Sequence, residues 1–230
     1  MSIGFITLIA LSLLMLFGVT SRIFDRMRMN DRVALLIVGL VFAGGLIPDI
    51  PLGNNVSINV GGAIIPIALC VYLFIKAGTT KERVRAIFAS LAGGAIVFFA
   101  GRLLPNEPET MVFDPIIIYG ILAGFTAYLF GRSRRSAFIG GIMGVLLGDL
   151  TQGIVSRTQG LNTPIRFGGA GAFDAVILSG IIAVVMAELI GETRERFAKE
   201  KTADKYEYDH GEFVPINKSV SVEENDEHKK

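Results

Sequence analysis

Seven apolar runs, separated by short charged stretches, constrain this chain more than any motif in it. They are Ile3–Val19, Val33–Pro48, Asn59–Ile75, Ala86–Leu104, Pro115–Phe130, Ser136–Gly153 and Gly168–Ile190. About 20 residues of helix cross the hydrocarbon of a bilayer, and several of these runs are shorter, so their ends are soft by a few residues. In lipid each backbone amide must be satisfied within its own segment, which selects helices. The expected architecture is all-α: a polytopic membrane helix bundle of about seven transmembrane helices. The chain is 51% hydrophobic with a mean hydropathy of +0.55, more apolar than a soluble domain of 230 residues needs.

Net charge says little, because 22 basic side chains face 21 acidic ones. Placement says more. Arg22, Arg26, Arg28 and Arg32 follow the first run. Lys76, Lys81, Arg83 and Arg85 follow the third, Arg132, Arg134 and Arg135 the fifth, and Arg194 and Arg196 the last. The alternate loops hold Arg102, Arg157 and Arg166. The positive-inside rule then puts the N-terminus outside and the C-terminus in the cytoplasm, in the cell membrane of a multi-pass protein. The first run has no basic residues ahead of it and no small-x-small cleavage site, so it is expected to be an uncleaved helix and not a signal peptide. Residues 1–190 form the transmembrane domain and 191–230 a charged cytoplasmic tail. Glu192 to Lys205 extends the last helix, and the acidic stretch from Tyr206 onward is expected to be disordered.

Several chemistries are excluded. The single cysteine, Cys70, lies in an apolar run, which rules out a disulfide framework and a cysteine metal site. Both histidines, His210 and His228, fall in the tail, so no histidine-held metal is expected in the membrane and no cofactor is implied. Nucleic-acid binding has no support: the basic residues are explained by topology, and the Gly-rich stretches lack the Lys-Ser/Thr of a phosphate loop.

The first three runs resemble the last three. Each set has a basic loop, a Gly-rich helix ending at an Asp, a polar outer loop and a Gly-Gly-Ala opening the next helix. The acids are Asp49 and Asp149; the openings are Gly61-Gly62-Ala63 and Gly168-Gly169-Ala170, with Gly171 one residue beyond the second. With the fourth run as linker, this suggests 3+1+3 parallel repeats about an axis along the membrane normal. Chance likeness among Gly-rich helices is the alternative, and the loop lengths do differ. Gly140, Gly144 and Gly148, and likewise Gly120 and Gly124, recur every four residues, the spacing of close helix packing within the chain or between copies in a homo-oligomer.

The polar residues divide by depth. Asp114-Pro115 has the pattern of a helix cap. Pro48-Asp49-Ile50-Pro51 is a rigid turn, and Glu188 is placed to reach water or Arg194. Asp149 and Asp174 differ, since Asp174 stands roughly 9 Å along a helix that starts at Gly168. A carboxylate at such a depth costs about 2.5–3.5 kcal/mol on insertion scales and seeks a partner or a wet cavity. Arg102 and Arg166 are candidate partners, and Asn59 and Gln152 could complete a polar cluster in the outer half. The same cluster also fits a purely structural bridge.

Three functions fit. A small-solute or ion carrier would use the repeat, the Gly-interrupted helices and the outer acids. An intramembrane aspartyl hydrolase would pair Asp149 with Asp174; Gly148-Asp149 matches half of a Gly-x-Gly-Asp motif, because Leu146 occupies the first Gly position. A scaffolding membrane protein would act through its tail. Besides the lipid bilayer, the carrier implies a small solute or ion as partner.

Asn59-Val60-Gly61-Gly62-Ala63-Ile64-Ile65-Pro66 together with Gly168-Gly169-Ala170-Gly171-Ala172-Phe173-Asp174 resembles the prokaryotic membrane proteins of domain-of-unknown-function family 1614. The resemblance covers most of Met1–Ile190 and not the tail. It implies a bacterial or archaeal integral membrane protein, and it brings neither an activity nor site residues.

Overall fold

The structure is a computed structural model that describes residues 31–53, 55–103, 114–161, 163–171, 174–203, 206–209 and 212–215. The first apolar run and the loop after it lie outside the described residues, as do Phe173 and residues 216–230. The chain divides into two compact units, up to Glu188 and from Leu189.

The first unit is mostly helical. Helix α1 spans Asp31–Gly45. The expected turn at Pro48–Pro51 is instead the start of a hairpin, β1 (Ile50–Gly53) and β2 (Val56–Ile58), with Ile50 opposite Ile58. Gly53 and Asn55, at φ 89° and 59°, supply the left-handed residues that so tight a reversal needs. A π-helical turn, Val60–Ile64, leads into α2 (Ile65–Ile75), with Pro66 in its first turn, where no amide is missed. Helix α3 is Thr80–Leu103. Helix α4, Pro115–Gly131, is capped by Asp114, which accepts from Ile116 N at 2.9 Å. Helix α5 is Arg134–Thr158, capped by Ser133. It runs five residues past Gly153, where the apolar run ends, and Gly160, at φ 76°, follows its last turn. Strand β3 (Ile165–Phe167) joins the sheet parallel to β2, pairing Val56 with Ile165 and Ile58 with Phe167.

The last helix, α6, spans Ala175–Ala203 and so starts seven residues later than expected. Gly168 and Gly171 have φ of 65° and 63°, a left-handed conformation that a helix cannot contain. Asp174 is therefore not buried a turn and a half inside a helix. It stands at the helix start.

Helix α5 is the centre of the bundle and packs on α2, α3 and α4. Its small residues explain how. Gly140 faces Ala89, Gly144 faces Gly93 and Gly148 faces Val97, an every-fourth ladder on α5 against another on α3. Gly141 meets Ser179 and Gly180 of α6, while Gly120 and Gly124 of α4 receive Leu178 and Ile182. These glycine faces are thus occupied within the chain. Outside, the pattern inverts: α3 buries Ala86, Ala89, Ser90, Gly93 and Gly94 and exposes Ile87, Phe88, Leu91 and Phe99. Among the described residues α3 and α5 are long and apolar enough to cross a membrane. Leu36–Gly45, Val60–Ile75, Pro115–Gly131 and Ala175–Gly191 are shorter apolar stretches.

The basic helix ends gather on one side. Arg83 donates to Ile75 O and Ala77 O, Arg135 donates to Lys76 O at 2.9 Å, and Ser133 donates to Glu82. Glu188 pairs with Arg134 at 2.5 Å, a partner that only the folded bundle supplies; the side chain of Arg194 lies outside the described residues.

In the second unit the charged helix continues to Ala203, as its composition suggested. Where disorder was expected, Tyr206–Asp209 and Glu212–Pro215 form an antiparallel hairpin with Tyr208 opposite Phe213. Alternating Tyr, Phe and Val across a two-residue connection ending in Gly211 favour strand pairing over a solvated coil.

A Cβ at Gly61 would overlap the backbone of Val41, Gly44 and Gly45, whereas nothing lies within 4 Å of one at Gly39. Gly61→Ala should therefore cost about 1–3 kcal/mol by overpacking. Gly39→Ala should gain about 0.5–1 kcal/mol from helix propensity. Thermal unfolding of the purified protein checks both, and equal effects would contradict the close approach of α1 to Gly61.

Candidate functional site

Asn59 fixes one end of the bundle. It is buried, 3% exposed, immediately before the π-helical turn. Its side-chain oxygen accepts from Gly61 N and Gly62 N, both at 2.9 Å. Its side-chain nitrogen donates to Ile47 O at 3.3 Å and to Asp49 Oδ1 at 2.9 Å. All four of its amide hydrogen-bonding positions are used. Its backbone N–H donates to Phe167 O at 2.9 Å, and its carbonyl accepts from Ala63 and Ile64. One residue thus ties the exit of α1, the start of α2 and strand β3 together.

The two Gly-Gly-Ala stretches meet here. Gly62 and Gly168 touch backbone to backbone, so close that a Cβ on either would overlap the other's peptide group. Gly171 lies against Gly45, where a Cβ would stand 3.0 Å from Gly45 Cα. Gly169 is exposed and takes no part in this contact.

Three acids collect around this junction. Asp49, held by Asn59, is half-buried. Asp174, also half-buried, caps α6: Oδ1 accepts from Val176 N at 3.0 Å and Oδ2 from Ala170 N at 3.1 Å. Asp149, half-buried on α5, lies within electrostatic reach of Asp174, and Asp174 within reach of Asp49. Tyr119 of α4 feels the charge of Asp149, and its hydroxyl lies 3.4 Å from where a Cβ on Gly101 would stand. The electrostatic couplings run in line from Asp49 to Asp174 to Asp149 to Tyr119, oxygen groups drawn from four parts of the chain.

Of the residues singled out from sequence, Asp149, Asp174 and Asn59 are brought together at this end. Arg102 and Arg166 are exposed, and among the described residues neither pairs with these acids. Arg102 instead stacks its guanidinium over Phe98, 4.9 Å from the ring centroid. Gln152 is exposed on α5, one helical turn nearer its end than Asp149. Two members of the line were missed. Asp49 passed for a turn residue because its partner Asn59 lies ten residues further on. Tyr119 carried one available signal, its place in the second turn after the Asp114-Pro115 cap. Among the described residues no group of three His, Cys, Asp or Glu is close enough to hold a metal ion.

Fold and site define a mostly helical protein with, among the described residues, two long apolar helices, a small-residue core and an acidic cluster beside a short sheet. The chain belongs to the protein family of unknown function DUF1614, whose profile matches residues 12–186. No curated protein and no solved structure matches it.

Asn59→Ala would strip the acceptor from two buried glycine amides. A loss of about 2 kcal/mol or more is expected, as each buried group left unpaired costs about 1–3 kcal/mol. Thermal melts of the purified protein read this out, and an unchanged midpoint would mean that Asn59 does not hold the junction.

Proposed function

We propose that this is a seven-helix membrane protein, N-terminus outside and C-terminus in the cytoplasm, that carries a cation or a proton-coupled small solute through the site at Asp149 and Asp174. The inverted packing supports the membrane placement. Glycine, alanine and serine fill the core while Ile87, Phe88, Leu91 and Phe99 face outward, as suits lipid and not water. The gathering of basic helix ends at one end supports the orientation. The parallel pairing of β2 with β3, leading each into a Gly-Gly-Ala, is in keeping with 3+1+3 repeats.

The observation that carries the solute site is the line Asp49, Asp174, Asp149 and Tyr119, with no arginine paired to the acids among the described residues. Ionisable groups within membrane segments are functional by default, and carboxylates without a balancing cation attract cations and protons. An aspartyl hydrolase is a poorer fit. Both oxygens of Asp174 are engaged by backbone amides, the geometry of a helix cap and not of two acids sharing one proton.

Orientation is tested in a Cys70→Ser background, since Cys70 is the only cysteine. A membrane-impermeant maleimide added to right-side-out vesicles should label Thr163→Cys, and Gly78→Cys only after permeabilisation. Labelling of both from outside would overturn the orientation. For transport, proteoliposomes loaded with a pH-sensitive dye are exposed to inward cation gradients. Flux should vanish in Asp149→Asn and in Asp174→Asn, with insertion intact because neither change adds a charge and the one side-chain oxygen of Asn at 174 can still cap Val176 N. Normal flux in both variants would leave these acids a structural role only.

A further inference from the structure

At the opposite, basic end, a cavity of 280 Å³ opens between α2, α3 and α5. Its walls are Cys70 and Phe74 of α2, Ala86 and Ser90 of α3, and Ile139 and Met143 of α5. The lining is almost wholly apolar, and its one hydroxyl, Ser90 Oγ, is committed to Ala86 O at 2.8 Å. The cavity is not closed: Val71, Ile87 and Leu91 on its rim are 53%, 50% and 57% exposed.

What lies below the cavity sets its chemistry. One helical turn from Ile87 is Arg83, and one turn from Ile139 is Arg135. Both reach across to the end of α2, Arg83 to Ile75 O and Ala77 O and Arg135 to Lys76 O. Two guanidinium groups therefore frame the foot of the groove, with exposed Lys76, Lys81 and Arg85 around them. Two acids at this end among the described residues are engaged elsewhere: Glu82 by Gly78 N and Ser133 Oγ, and Glu188 by Arg134.

We propose that this groove binds an anionic phospholipid, one acyl chain lying in the apolar cavity and the phosphate at the basic foot beside Arg83. The inference rests on the membrane placement above and is independent of the solute carried. A lipid surface supplies both halves of the match, a flexible apolar chain and a fixed negative charge at the cytoplasmic level. A second copy of this chain would bring the same basic foot against itself.

The chain contains no tryptophan, so one introduced indole reports only its own surroundings. Leu91→Trp places it on the groove rim and Phe99→Trp on the same helix outside the groove, both at exposed positions. The full chain is reconstituted into vesicles of phosphatidylcholine containing phosphatidylglycerol, with the brominated acyl chains carried by one lipid or the other. At Leu91→Trp, brominated phosphatidylglycerol should bind about fivefold more strongly than brominated phosphatidylcholine, the factor given by the roughly 1 kcal/mol that one basic side chain contributes at a membrane surface. At Phe99→Trp the two should quench alike. Adding Arg83→Gln should bring the ratio at Leu91→Trp down towards that at Phe99→Trp. If that variant fails to fold, the comparison of the two lipids still decides, because it needs no change at the foot. Equal quenching by both lipids at Leu91→Trp overturns the proposal. Quenching at Phe99→Trp but none at Leu91→Trp also overturns it, as protein would then fill the groove. No quenching at either position by either lipid would refute the membrane placement itself, and the lipid site with it.

Discussion

The Asn59 side chain is the interaction on which the rest of the structure depends. A π-helical turn leaves its first amides without helical partners, and burial makes an unpaired amide costly. Asn59 accepts two of them with one oxygen and uses its nitrogen to hold the chain leaving α1. Its own amide is answered by Phe167, more than a hundred residues away. An aspartate there could accept but not donate, and a serine could not span all four contacts. The geometry of the acidic line follows, because Asp49 is positioned by Asn59 and Asp174 by the turn that packs on Gly62.

The bundle reaches its compactness by removing side chains. Between α3 and α5 the contact is largely glycine and alanine, so the helices approach near to the limit set by their backbones, and dispersion and fit replace the burial of large apolar groups. Hydroxyls inside satisfy themselves locally: Thr126 donates to Leu122 O at 2.7 Å and Ser179 to Val176 O at 2.8 Å. Such residues add no polar demand on a neighbouring helix and keep their small volume.

Much of this was legible in the sequence. Each apolar run from Val33 onward overlaps one of α1 to α6, with ends up to seven residues off at the helix starts, the Asp114-Pro115 cap is where its pattern said, and the every-fourth glycines point at neighbouring helices. Pairwise, long-range features were not legible. Strands of three residues are too short to show an alternation, and nothing near Val56 announces Ile165 as its partner. The start of α6 was misplaced because a glycine's φ is not written in its neighbours, and Gly168 to Asp174 reads as continuous apolar helix until Gly168 and Gly171 turn left-handed. For the same reason Arg102 looked like a counter-charge to the acids: its depth was readable, but its direction, over Phe98, was not.

The meeting of Gly62 with Gly168 has a mechanical side. An interface of interlocked leucines must be unpicked rotamer by rotamer before its two faces can move, and this raises the barrier to sliding. Where peptide group lies on peptide group, there is no side chain to unlock. The faces can shear or part there without a repacking step, at the cost of contact area and of the backbone hydrogen bonds between β2, Asn59 and β3 beside them. Any movement that exposes Asp49 and Asp174 more fully would therefore be resisted at this seam by hydrogen bonds and not by interlocked side chains.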